Sequence, residues 1–318
     1  VLKGRDLLTL AELSSEEVWR VFELTRYLKE GFEGADRLLH GRTLAMIFQK
    51  PSTRTRTSFE VAMYQLGGHA INLSASELQL ARGETIEDTA RTLSRYVDAI
   101  MARVYGHQDV ERLAAAADVP VINGLSDLYH PCQTLADLYT ILEVKGRLKG
   151  VRIAWVGDGN NVCNSLMIGA GKVGAEMVVA TPSGYRPHPE ALEWAREAAA
   201  RTGGSIRLVE DPVEAVEDAD VVVTDVFVSM GFDEEREARL QVFLPRYQVR
   251  PELLAHARKD AIFLHPLPAH RGEEVVDEVI DGPHSRVWDQ AENRLHTQKA
   301  VLCLLLLGEE ALASRIGW

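Results

Sequence analysis

The chain has 318 residues, of which 46% are hydrophobic and 26% charged, and a net charge of −12. That length supports two ordinary domains with a large core, and the acidic surplus speaks against nonspecific nucleic-acid binding. Cys132, Cys163 and Cys303 form neither a disulfide framework nor a zinc signature. The longest apolar run, Ala300 to Leu307, is far short of the roughly 20 residues a membrane span needs. With no apolar leader at the start, the expected location is cytoplasmic.

In chain order, Ser14-Ser-Glu-Glu17 opens a helix with a capping-box pattern, and Val18, Val21, Phe22 and Leu28 give it an apolar face. Thr43 to Gln49 reads as a buried strand. Lys50-Pro-Ser-Thr-Arg-Thr-Arg-Thr-Ser-Phe-Glu60 follows, and Phe59, Met63 and Leu66 then recur at helical spacing up to Gly67-Gly68. The order predicts strand 69–73, an irregular polar loop 74–84, helix 85–96, strand 98–103, helix 110–117 and strand 119–122. A polar loop over 123–133 leads to helix 134–145. The alternation resumes with strand 151–156, a turn over 157–161, helix 165–174, strand 177–180 and helix 189–202. Strands 221–224 and 261–264 and a terminal helix from Arg294 to Leu307 complete it. The fold class predicted is α/β: two doubly wound parallel-sheet domains linked by crossing helices.

The chemistry gathers where strands end. Ser52 to Thr55 sits at a strand-to-helix handover, where free backbone N–H groups and the positive end of the helix dipole converge. Three hydroxyls and the guanidinium forks of Arg54 and Arg56 complete a site suited to a phosphate dianion. A helix cap alone is the plainer alternative, but two cations in the first turn oppose the dipole unless an anion offsets them.

Other strand ends carry weaker signals. Arg103 ends a strand, where a surface charge is the bland explanation. His130-Pro-Cys-Gln133 opens a helix with two groups able to donate to a carbonyl oxygen, or simply caps it. Gly157-Asp-Gly-Asn-Asn161 is half a dinucleotide fingerprint. Val162 replaces its third glycine and Thr181-Pro182 the expected acid, which disfavours a nicotinamide site. Asp225, followed by Ser229-Met-Gly231, offers an anion for an ammonium group or a solvated turn. His265-Pro-Leu-Pro268 makes a rigid acceptor site or a stiff turn. Arg294 either reaches an anion or pairs with Glu292.

Taken together, Ser-Thr-Arg-Thr-Arg at 52–56, Gln79 with Gly83-Glu-Thr85, Arg103, His130 to Gln133, Gly157 to Asn161, Asp225 with Ser229 to Gly231, His265 to Pro268 and Ala291 to Arg294 resemble the aspartate/ornithine carbamoyltransferase family, on its ornithine side. The resemblance spans nearly the whole chain in order. It implies a carbamoyl phosphate-binding domain over 1–146, on which a terminal helix over 293–318 packs back, and an ornithine-binding domain over 147–292. It implies transfer of a carbamoyl group from carbamoyl phosphate to the δ-amine of L-ornithine, with another amine (putrescine, an acylated ornithine or aspartate) as the alternative acceptor.

By the same resemblance, Ser52, Thr53, Arg54 and Thr55 hold the phosphate, while Arg103, His130 and Gln133 polarise the carbonyl. Gln79 reaches a neighbouring subunit's site, and Leu267 and Arg294 complete the carbamoyl phosphate pocket. Asn161, Asp225, Ser229 and Met230 hold ornithine. Arg103, His130 and position 266 are the implied catalytic set. No metal or cofactor is implied, the assembly is a homotrimer or a multiple of one, and the Leu267–Pro268 bond is cis. One position departs from the ornithine pattern: Pro266 stands where ornithine enzymes carry cysteine, as in aspartate carbamoyltransferases. Proline keeps the backbone carbonyl there and deletes a thiol.

Overall fold

The computed structural model describes residues 2–31, 34–229 and 231–318. The chain divides into two compact units, one of residues 1–136 with 293–318 and the other of residues 137–292. Two helices, Pro131–Lys145 and Val287–Leu306, each carry the chain from one unit into the other.

The first unit is built on a parallel sheet of four strands: β1 (Thr43–Phe48), β2 (His69–Ser74), β3 (Ala99–Arg103) and β4 (Val121–Leu125), in the order β2-β1-β3-β4. β3 is buried along its whole length and β1 at all but its first residue. Strands covered on both faces read as continuous apolar runs, which is why the sequence placed them to within a few residues. The opening helix, Ser15–Glu30, has the full capping box: Ser14 Oγ accepts from Glu17 N–H and Glu17 accepts from Ser14 N–H.

The second unit holds five parallel strands, β5 (Arg152–Val156), β6 (Glu176–Ala180), β7 (Ser205–Val209), β8 (Val221–Val223) and β9 (Ile262–Leu264), in the order β7-β6-β5-β8-β9. Trp155 of β5 is fully buried and donates its indole N–H to Asp158 O at 3.0 Å. A second apolar layer, with Phe227, Phe243 and Phe263 at its centre, packs beside β5 and β8. Phe227 and Phe243 stack with centroids 4.6 Å apart.

Several expected boundaries move. The 85–96 helix is Ile86–Leu93, capped by Thr85, and Tyr96 is exposed beyond its end. The 110–117 helix begins at His107, and the strand expected over 119–122 runs from Val121 to Leu125. The helix expected from Ser165 starts at Asn161, because Asn160 caps it. The terminal helix begins at Val287 and stops at Leu306; Gly308, at φ 79°, turns the chain into a further helix, Glu309–Ile316. β7 was not expected. It is an edge strand whose alternation of exposed Ser205 and Arg207 with buried Ile206 is a weaker signal than a buried run.

Candidate active site

In the first unit the loops after β1, β3 and β4 leave the carboxyl ends of three adjacent strands, the place where open α/β sheets bind ligands. After β1 the helix Thr53–Gln65 begins, with Ser52 as its N-cap: Ser52 Oγ accepts from Thr55 N–H at 3.1 Å. The cap and the anion site are therefore compatible, since the Ser52 hydroxyl proton is still a donor. Thr55 is buried, whereas Thr53 is exposed on the same turn.

Arg294, from the Val287–Leu306 helix, is 3% exposed. It donates to Gln133 Oε1 at 2.8 Å, to Thr55 Oγ1 at 3.1 Å and to Gln298 Oε1 at 3.1 Å. A guanidinium has only donors, so the Gln133 amide presents its oxygen to Arg294 and its NH2 group is the donor end.

Arg103 ends β3 and is 8% exposed. Its Nε is buried with no hydrogen-bond partner, and Arg103 makes no ion pair among the described residues. Burial, then the nearby charges of Arg294 and Arg54, push its pKa down to about 10. His130 is buried in the same field: burial first, then Arg294, Arg103 and Arg54, hold its pKa well below the usual imidazole range. It is neutral near pH 7 and can offer one N–H without adding a charge. Lys50 adds a further buried cation, with Nζ 4.8 Å from the centroid of the Tyr105 ring and its pKa lowered by burial and by Arg103.

The structure thus brings Arg54, Arg103, His130, Gln133, Thr55 and Arg294 into one cluster. Arg56 is not in it: Arg56 is exposed and lies 3.6 Å from Glu60, one turn along its own helix. The further cations of the cluster are Arg103 and Arg294, distant in sequence. Gln79 is exposed at the start of the Gln79–Arg82 turn and makes no side-chain hydrogen bond among the described residues. Lys50 was not singled out beforehand; its position before the Ser-Thr-Arg-Thr-Arg run was the available signal.

In the second unit, β5, β8 and β9 are adjacent, and each ends in a polar segment. Asp225, beyond β8, is buried; its Oδ2 accepts from Asn160 Nδ2 at 2.8 Å and its Oδ1 from Val226 N–H at 2.8 Å. Burial raises its pKa, against a lowering by His265. Of the two asparagines in the 157–161 turn, only Asn161 was expected in the ornithine set. Asn160 Oδ1 caps the Asn161–Val173 helix while its amide holds Asp225, and an Asn just before an apolar helical run was the cue. Asn161 is half-buried, its Oδ1 accepting from Val162 N–H at 2.9 Å. Ser229 is half-buried after Asp225, and Met230 lies outside the described residues.

The glycines of 157–161 serve packing. A Cβ on Gly159 would stand 2.3 Å from Pro187 N, so the close approach is of chain to chain. Pro266 is buried and Leu267 partly so, and the Leu267–Pro268 bond is cis. Behind them His265 Nδ1 accepts from Leu267 N–H at 2.8 Å, which places the ring proton on Nε2, 2.8 Å from Glu274 Oε1. His265 N–H donates to Gln290 Oε1 at 2.9 Å, and Gln290 Nε2 to Asp137 Oδ1 at 2.7 Å.

Comparison with known proteins gives the family. Residues 5–143 match the aspartate/ornithine carbamoyltransferase carbamoyl-P binding domain, and residues 149–305 its Asp/Orn binding domain. The chain is 62% identical over 309 residues to ornithine carbamoyltransferase of Pyrococcus horikoshii, covering 96% of this chain and 97% of that one. It is 56% identical over 310 residues to the Bacillus subtilis ornithine carbamoyltransferase, covering 98% and 96%. The solved structure of ornithine carbamoyltransferase from Pyrococcus furiosus superposes with a TM-score of 0.92 at 60% identity, covering 97% of this chain and 99% of that one. With both domain types matched in order along one chain, the protein belongs to the aspartate/ornithine carbamoyltransferase family.

Proposed function

We propose that this protein transfers the carbamoyl group of carbamoyl phosphate to the δ-amine of L-ornithine, giving L-citrulline and phosphate. The observation that carries the reading is Arg103. A buried guanidinium with an orphaned Nε, no ion pair among the described residues and two further arginines in its field is costly unless an anion joins it. A phosphate dianion with a carbonyl attached is such a partner.

In this account Ser52, Thr53, Arg54 and Thr55 hold the phosphate at the helix N-terminus, with Arg294 completing the charge balance. Arg103, the neutral imidazole of His130 and the Gln133 NH2 group point donors at the carbonyl oxygen. Attack by the deprotonated δ-amine makes an oxyanion there, which these donors stabilise more strongly than the starting carbonyl. The C–O bond to phosphate then breaks, and the leaving phosphate takes the extra proton of the amine nitrogen, giving the ureido product and hydrogen phosphate. Asp225, set by Asn160, takes the α-ammonium, with Asn161, Ser229 and Met230 around the rest of ornithine. Pro266 and Leu267 offer backbone carbonyls to the carbamoyl amino group. Holding both reactants in line supplies a large part of the rate. We place the carbamoyl phosphate-binding domain over 1–146, with 293–318 packed back on it, and the ornithine-binding domain over 147–292; the two compact units divide earlier, at 136/137, inside the helix Pro131–Lys145. The assembly is a cytoplasmic homotrimer or multiple of one to which Gln79 contributes across subunits. Exposed Tyr64 and Ile71 are apolar surface available for such assembly.

Pro266 favours a second acceptor, aspartate, because proline at this position is the aspartate pattern. A buried Asp225 opposes it, since two carboxylates repel. The test is to incubate the protein with carbamoyl phosphate and, in turn, ornithine, putrescine, acetylornithine and aspartate, and to measure ureido product. Ornithine gives the highest kcat/KM. No product with any of the four would overturn the reading.

A further inference from the structure

A second cluster of ligand-bearing side chains lies in the turn after Pro268. One ring nitrogen of His270, one carboxylate oxygen of Glu273 and one of Glu274 lie within 4.8 Å of one another. Each of these residues has one polar group committed to the protein and one left over. Glu274 Oε1 accepts from His265 Nε2–H at 2.8 Å and from the His270 backbone N–H at 2.7 Å. Glu273 Oε1 pairs with Arg236. The remaining atoms, Glu274 Oε2, Glu273 Oε2 and His270 Nδ1, are buried and make no hydrogen bond among the described residues.

Acidic neighbours alone would mean little, but Glu274 is wholly buried, one of its oxygens has no hydrogen bond among the described residues, and its carboxylate brings an oxygen within 4.8 Å of the other two ligand atoms. The protein offers no internal remedy. His270 Nδ1 stands 3.5 Å from Glu273 Oε2, too long for a good hydrogen bond. Arg271, the adjacent cation, is turned toward Asp277 and Asp281 at 2.9 Å each. A buried carboxylate oxygen in this state calls for a cation or a donor.

We propose that His270, Glu273 and Glu274 form a binding site for one divalent first-row transition-metal cation. One imidazole nitrogen and two carboxylate oxygens suit such an ion, and open positions remain for water. Bonds of about 2.0–2.2 Å put tetrahedral ligand atoms about 3.4 Å apart, so the ligand set closes by about 1 Å on the ion. His270 is 39% exposed, which gives the ion a path from solvent. The bonds already present orient the ligands: His265 and the His270 N–H fix Glu274, and Arg236 fixes Glu273. The ion takes no part in carbamoyl transfer. It ties the turn to His265, whose Nδ1 receives the Leu267 N–H, and so stiffens the His265–Pro268 segment.

The test is calorimetric titration of chelator-stripped full-length protein with Zn2+, for the wild type, His270→Ala and Glu273→Gln. X-ray absorption of the zinc-loaded wild type identifies the ligand atoms. The expected result is one saturable site per chain with nitrogen and oxygen ligands only, weakened at least tenfold in each variant. A Zn2+-dependent rise in unfolding temperature should appear in the wild type and vanish in both variants. No saturable binding, wild-type affinity in either variant, or a sulfur ligand would overturn the proposal. None of these outcomes bears on the carbamoyl transfer reading, which the amine panel tests separately.

Discussion

Arg294 Nη1 donates to Gln133 Oε1 at 2.8 Å, joining two side chains 161 positions apart in the sequence. The bond fixes which end of the Gln133 amide is a donor, and the same guanidinium reaches Thr55 Oγ1 at 3.1 Å. A lysine can supply the charge of Arg294 but not its fork. Arg294→Lys should therefore lose more than a charge count suggests. Losing one charge-assisted bond of about 1.5–3 kcal/mol corresponds to a rise in KM for carbamoyl phosphate of roughly 10–100-fold. Steady-state kinetics at saturating ornithine checks this, and a KM within twofold of wild type would contradict it.

Arg103 carries an uncompensated buried charge, so removing that charge should help folding while ruining the site. Arg103→Met keeps most of the side-chain volume. It should raise the urea-unfolding free energy of the ligand-free protein by about 1–4 kcal/mol. It should also abolish the stabilisation that carbamoyl phosphate gives the wild type, which is about 2.7 kcal/mol at a hundred times Kd. A destabilised Arg103→Met that still responds to ligand would contradict this account.

His130 has a depressed pKa because burial and three arginines disfavour its charged form. The sign follows from proton binding. Below the ordinary value near 6.5 the unfolded chain takes up a proton that the folded site does not. This contribution to stability is complete above that value and is lost as pH falls below it. The imidazole stays neutral in the folded enzyme, so His130→Gln should lower kcat without removing an acid limb between pH 6 and 7. A limb in that window present in the wild type and absent from His130→Gln would show that the imidazole titrates there.

Gly159 and Gly184 make a matched pair. An added Cβ at Gly159 meets backbone at 2.3 Å, whereas at Gly184 it meets nothing within 4 Å. Gly159→Ala should cost about 1–3 kcal/mol or more of unfolding free energy, with Gly184→Ala within roughly 0.5 kcal/mol of wild type. Equal effects would contradict the packing role of Gly159.

The two parallel sheets were legible because their inner strands are covered on both faces, so β1, β3 and β5 are nearly unbroken apolar runs. β7, on an edge, was not. The candidate site was legible at Ser52 to Thr55, where a strand, a cap and cations coincide. Its composition was only half legible. Adjacent arginines two positions apart on a helix turn in different directions, so Arg54 faces the cluster and Arg56 pairs with Glu60. Asn160's role was not legible because it serves as both helix cap and partner of Asp225, and only the chain's path after β8 shows the second role.

The most direct measurement is calorimetric titration of freshly prepared carbamoyl phosphate, without amine, into the wild type, Arg54→Met and Arg103→Met. The account predicts one site per chain in the wild type and affinity at least about 100-fold lower in each variant, the effect of losing roughly 2.7 kcal/mol of charge-assisted binding. Affinity unchanged in either variant would contradict it.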